Sequence, residues 1–159
     1  MILIKLFPKA KHFIHTPLLK ACVKETLRLR PISIGVGRLA TNDMVIAGYH
    51  IPKDTMIITQ NQVACSLSEY FAQPNEYRPD RWIRSNRSRE HRYLYIPFGH
   101  GTRMCLGRRI AELELYILLA NLVDRFRLEC VNPADEIGQR TRLVNVPDGP
   151  IRLRFVDRK

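Results

Sequence analysis

The ten residues Phe98-Gly99-His100-Gly101-Thr102-Arg103-Met104-Cys105-Leu106-Gly107 run directly into an apolar helix pattern that begins at Arg108, and this junction constrains the chain more than any other stretch. The loop places one cysteine at a helix N-terminus among glycines and an arginine. The first helical turn leaves N–H groups without partners, and the helix dipole puts positive charge at the same end. An anion is favoured there, so the Cys105 sulfur is expected to lean toward thiolate. A thiolate suits iron. Gly101 and Gly107 would let backbone approach a flat cofactor closely, Phe98 could pack on its face, and Arg103 offers a planar fork for a carboxylate. A lone cysteine in an apolar context is ordinarily an inert core residue, but the surrounding pattern argues against that reading.

Phe98, Gly101, Arg103, Cys105 and Gly107 spell F-x-x-G-x-R-x-C-x-G, which resembles the haem-binding loop of the cytochrome P-450 family. The resemblance implies haem as cofactor, with Cys105 as the proximal iron ligand and nearby N–H groups tuning its sulfur. It also implies a monooxygenase that inserts one atom of O2 into an apolar, sterol-like substrate with electrons from an acidic 2Fe–2S ferredoxin. The A/G-G-x-x-T stretch by which the family handles O2 does not occur in the sequence, so no catalytic residue is assigned to this segment. All recognisable motifs belong to the C-terminal third of the family's chains. The implied fold is therefore mainly α with small β-sheets (α+β), an incomplete portion of the cytochrome P-450 fold. Residues 1–15 stay unassigned and 16–159 form the haem-loop portion. Such a segment is expected to bind haem weakly or not at all, to expose apolar surface and to be inactive. The alternative function is a fragment that binds haem or ferredoxin without turnover.

Upstream, Thr16 to Arg30 reads as a helix of about 13 residues, since Thr16 can cap it, Pro17 suits its first position and Pro31 stops it. Glu25 and Arg28 lie three apart and share a face. They read either as a solvated surface pair or, by resemblance, as the family's E-x-x-R motif, with Arg81 of Pro79-Asp80-Arg81-Trp82 as third partner locking the haem loop. Lys20 and Lys24 are likewise either the wet face of an amphipathic helix or a docking site. The stretch from Leu18 to Arg28 is similar to the mitochondrial branch of the family, in which two lysines at these places bind ferredoxin. Arg108 and Arg109 would add to that surface.

Residues 32–60 read as short strands: Gly35 to Ala40, Met44 to Ile51 broken at Gly48, and Met56 to Thr59, with turn signals between. A small sheet beside the cofactor is expected. Arg38 is open between an ordinary strand-edge charge and, by resemblance, a contact to a haem propionate. Ile32 to Val36 correspond to a substrate-lining segment in the family, and a substrate-facing turn falls near Val144-Asn145-Val146. Ser66 to Arg92 reads as an ordered meander anchored by Phe71, Pro74, Tyr77, Pro79 and Trp82. The pattern from Arg108 to Val123 is apolar around most of its circumference, which predicts burial. Strand candidates follow at Phe126 to Val131, Thr141 to Val146 and Ile151 to Phe155.

With 26 Lys and Arg against 15 Asp and Glu, the formal net charge of +11 points to nucleic acid, an acidic protein or an anionic membrane as partner. The basic run Arg81, Arg84, Arg87, Arg89 and Arg92 reads as a solvated loop, and the stacking aromatics of an RNA-binding sheet are missing, so no nucleic acid is expected. Four cysteines without a C-x-x-C pair indicate neither zinc nor a disulfide framework. No apolar run is long enough to span a bilayer. Membrane contact would be peripheral and made through parts outside this chain. By resemblance the location is mitochondrial, on the matrix side of the inner membrane, with the endoplasmic reticulum membrane as the alternative.

Overall fold

The computed structural model describes residues 16–83, 93–131, 137–142 and 144–158. Helix α1, Pro17–Leu29, begins at Thr16, whose extended backbone holds the N-cap position, with Pro17 at the first turn. Pro fits there because its missing N–H has no helical partner in any case. The helix ends before Pro31, the residue that cannot continue it. Its buried positions are Ala21, Val23, Glu25 and Arg28.

Strands β1 (Val36–Leu39) and β4 (Met56–Thr59) pair antiparallel, Val36 opposite Thr59. Inside that long loop β2 (Met44–Ile46) and β3 (Tyr49–Ile51) form a hairpin. Ala47 and Gly48 turn it with φ of 50° and 84°, the two left-handed residues a tight primed turn demands. Helix α2, Asn61–Ala64, follows β4. A single-turn 3-10 helix covers Pro79–Trp82 and another Gly101–Arg103. Helix α3, Arg108–Arg125, leads into β5 (Phe126–Cys130). Strand β5 pairs antiparallel with β8 (Leu153–Asp157), and β6 (Gln139–Arg142) pairs with β7 (Val144–Pro147).

Three sequence expectations need correction. The expected small sheet is two separate two-stranded ribbons, β1–β4 and β2–β3. The strand expected from Thr141 to Val146 is the hairpin β6–β7, held by a hydrogen bond from Thr141 Oγ1 to Asn145 Oδ1 at 2.7 Å. Helix α3 is not buried all round: Ile117 and Ala120 are buried, whereas Ile110 is 64% and Leu118 56% exposed. Its main packing partners among the described elements are α1 and β5, and they leave part of a helix that is apolar on every side uncovered. Residues 1–15 and Arg84, Arg87, Arg89 and Arg92 of the basic run lie outside the described residues.

The meander from Ser66 to Ile83 supplies the best-buried ring, Phe71, at 1% exposure. It lies 6.5 Å from Trp82, and the Arg28 guanidinium sits 5.2 Å above it. Phe71→Ala is expected to lower stability by about 3–5 kcal/mol, the cost of an unfilled aromatic site. Guanidinium unfolding followed by circular dichroism checks it.

Candidate functional site

Two groups of residues converge between α1 and α3: a buried ionic cluster and, beside it, a slot that ends at Cys105. The cluster is built on Glu25, which is 0% exposed. Its carboxylate receives five hydrogen bonds: from Arg28 Nε at 3.0 Å and Nη2 at 2.9 Å, Arg81 Nε at 3.0 Å, Trp82 Nε1 at 2.7 Å and the Arg78 backbone N–H at 3.0 Å. The reading of Glu25 and Arg28 as a solvated surface pair is therefore wrong. Helical spacing puts both on one face, and that face is turned inward.

The other arms of the two guanidiniums tie loops to the cluster. Arg28 Nη1 donates to the Cys65 carbonyl at 2.7 Å and Nη2 to the Glu76 carbonyl at 3.3 Å. Arg81 Nη1 donates to the Ala72 carbonyl at 3.0 Å. Burial by itself raises the Glu25 carboxyl, but hydrogen bonds from Arg28, Arg78 and Trp82, with the Arg28 charge, outweigh it and hold the group below the usual carboxylate range. Burial pushes the Cys65 thiol up to about 11, so that cysteine is a neutral wall group.

From the cluster, contacts lead to the loop that carries Cys105. The Trp82 ring packs 4.5 Å from Tyr95, while Cys65 Sγ and Asn61 Nδ2 both donate to the Leu94 carbonyl, at 3.5 and 3.4 Å. The loop itself is shaped by two residues of left-handed backbone, Gly99 at φ 74° and Gly101 at φ 75°, a conformation cheap only for glycine. It is closed by the Cys105 N–H donating to the Phe98 carbonyl at 2.8 Å. Gly107 caps α3 with φ −79°, so its value is spatial: a side-chain carbon there would lie 3.9 Å from the Cys105 sulfur.

A cavity of about 510 Å³ opens between this loop and the segment after α1. Phe98, Gly99, Arg103 and Cys105 face Ile32, Gly35 and Gly37 across it. Arg28, Cys65 and Tyr95 form its floor on the side of the cluster. The slot thus joins a sulfur and a guanidinium on one wall to an apolar, glycine-flattened surface on the other. Arg38 stands on β1 beside this wall, and its Nη1 donates to the Gly37 carbonyl at 2.7 Å.

The basic residues expected to meet a partner are partly engaged within the chain. On α1, Lys20 and Lys24 are half-buried, with Lys24 Nζ 5.9 Å above the Trp82 ring. Arg108 pairs with Glu112 at 3.1 Å and lies 5.9 Å from the Phe98 ring, and Arg109 is exposed. Gly99, Cys65, Tyr95 and the Trp82 indole N–H were not singled out by sequence reasoning. A second glycine beside Phe98 was the one local signal for any of them.

Comparison with known proteins agrees with this layout. The family model described as cytochrome P450 matches residues 5–155. The chain is 46% identical over 134 residues to mitochondrial cytochrome P450 302a1 of Drosophila melanogaster, covering 84% of this chain and 27% of that protein. It is 43% identical to the mitochondrial cholesterol side-chain cleavage enzyme of Mus musculus (87% and 26% covered) and 36% identical to the mitochondrial sterol 26-hydroxylase of Homo sapiens (96% and 29% covered). The chain spans little more than a quarter of the length of these relatives. Among solved structures, a cytochrome P450 crystal structure (CYP102L1) superposes with a TM-score of 0.84 at 27% identity, covering 98% of this chain and 36% of that one.

Because the Glu25 carboxyl titrates below its ordinary value, its contribution to stability is complete at neutral pH and lost as pH falls through its folded value. Unfolding free energy is expected to drop steeply in that acid window. Glu25→Gln, which leaves two guanidiniums uncompensated, should cost about 3–5 kcal/mol near pH 7 and flatten the acid slope; denaturant titrations at several pH values read both. At Gly35 an added carbon would stand 1.8 Å from the Thr59 carbonyl oxygen. Gly35→Ala should push β4 away from the slot at a cost of about 1–3 kcal/mol, seen as faster amide exchange at Val36 and Thr59.

Proposed function

The chain belongs to the cytochrome P450 family, and from that premise we propose that it forms the proximal wall of a haem-thiolate monooxygenase, with Cys105 as the iron ligand. The juxtaposition of the Cys105 sulfur and the Arg103 guanidinium in one apolar slot carries this reading. Haem is a flat apolar ring bearing two carboxylates, and its iron needs one axial donor from the protein. Among the described residues no group of three or more His, Cys, Asp or Glu converges on a possible metal. A sulfur, a guanidinium and an apolar, glycine-flattened surface around one slot fit such a ring.

Each residue then has a distinct task. Cys105 would supply the sulfur donor to the iron. Arg103, with Arg38 beside the slot, neutralises carboxylate charge, while Phe98, Gly35 and Gly37 present apolar or open surface to the ring. Gly101, with its left-handed backbone, lets the loop turn beneath the sulfur. Glu25, Arg28 and Arg81 act on none of the reacting atoms; they hold the loops on which these groups are mounted. Haem, when bound, supplies the redox chemistry that activates O2.

The whole protein would oxidise an apolar, sterol-like substrate, the substrate class printed in the names of the Mus musculus and Homo sapiens relatives. Its place would be the mitochondrion, as in those relatives, and its electrons would come from an acidic 2Fe–2S ferredoxin. The charge of +11 favours such a donor, and Lys20, Lys24, Arg108 and Arg109 are the groups that would meet it. Long-range attraction of that kind raises the encounter rate and is screened by salt.

The haem-loaded full-length protein is expected to give the red-shifted Soret band of a thiolate-ligated ferrous carbonyl, and Cys105→His should abolish it. A Cys105→His protein with an unaltered carbonyl band would refute the assignment of the sulfur. Lys20→Gln with Arg109→Gln should weaken ferredoxin binding several-fold at low salt and hardly at all at high salt, as measured by titration calorimetry.

A further inference from the structure

The slot wall opposite Cys105 is made by Pro31, Ile32, Ser33 and Gly35, a segment without helix or strand of its own. Its carbonyls are held from outside the slot by two residues distant in sequence. Asn145, in strand β7, donates its backbone N–H to the Ile32 carbonyl at 2.8 Å and its side-chain Nδ2 to the Pro31 carbonyl at 2.8 Å. The same Nδ2 donates to Gln62 Oε1 at 3.1 Å. Gln62, itself a lining residue, donates its backbone N–H to the Ile34 carbonyl at 3.1 Å. The Thr141 hydroxyl donates to Asn145 Oδ1 at 2.7 Å, which fixes the amide so that its nitrogen faces the wall.

We propose that Asn145 and Gln62 are positioning residues that set what the slot admits by clamping the Pro31–Ile34 wall at three carbonyls, those of Pro31, Ile32 and Ile34. The segment pairs with no strand along its length, so these bonds decide how far it stands from Cys105. Ile32 is 59% exposed and Ile34 38%, and apolar packing alone does not fix them. Loss of the clamp leaves a wall that yields to bulky ligands, while the thiolate and the buried cluster stay as they are. The inference rests on the haem-pocket reading for its ligand, but the clamp itself does not require haem.

The test uses the full-length protein with Asn145→Asp, which keeps shape, the acceptor for Thr141 and the backbone N–H on Ile32 but loses the side-chain donor that holds Pro31 and Gln62, and separately Gln62→Met, which removes the acceptor that orients that side chain. Amide exchange over residues 31–36 is expected to accelerate at least tenfold in either variant, with exchange in α1 and α3 unchanged. In the haem-loaded protein the ratio of dissociation constants for imidazole and the bulkier 1-phenylimidazole, read from the Soret shift, should move at least threefold toward the bulky ligand, with the ferrous carbonyl band unmoved. Unchanged exchange over 31–36 in both variants would overturn the clamp. Faster exchange with an unchanged ligand ratio would overturn its role in selection. Absence of a thiolate-type carbonyl band in the unmutated protein would instead refute the haem reading, and the exchange measurement would still decide the clamp.

Discussion

One carboxylate holds the molecule together. Glu25 is fully buried and accepts hydrogen bonds from two guanidiniums, an indole and a backbone N–H. A buried charge of this kind is stable only when every lone pair is used, and the chain meets that demand by bringing α1, the meander and the Pro79–Trp82 turn to a single point. The spare arms of Arg28 and Arg81 then reach the carbonyls of Cys65, Glu76 and Ala72. Segments with little regular structure acquire fixed positions from one ion cluster. The Cys105 loop is a beneficiary at one remove, through Tyr95 against Trp82 and through Leu94.

The slot is shaped by that arrangement. Phe98, Gly99, Arg103 and Cys105 stand on a loop bent by left-handed glycines, and the facing wall hangs between α1 and β1. Neither wall is a regular element. Their separation is set by hydrogen bonds arriving from the Glu25 cluster on one side and from Asn145 on the other. The chemistry proposed for Cys105 and Arg103 therefore depends on contacts made by residues outside the cysteine loop.

Much of this was legible in the sequence. Pro17 and Pro31 bracket α1, the break at Gly48 falls at the β2–β3 turn, and the spacing from Phe98 to Gly107 states where a sulfur must be offered. Other features were not. An i, i+3 pair such as Glu25 and Arg28 looks the same on a wet or a buried face, and only the positions of Trp82 and Arg78 decide between the two. Apolar periodicity in α3 announced burial, but what covers a helix is set by its neighbours, and those described leave Ile110 and Leu118 exposed. The β6–β7 hairpin was read as one strand because its run of strand formers gives no sign of where the chain doubles back. Asn145 and Gln62 escaped notice as a pair because 83 positions separate them, and no local pattern carries information over that distance.

That separation bears on the order in which the molecule can be assembled. Asn145 reaches back 114 positions to the Pro31 carbonyl, so during synthesis the Pro31–Ile32 end of the far wall gains its anchor only once β7 has been made, whereas Gln62 is available to Ile34 long before.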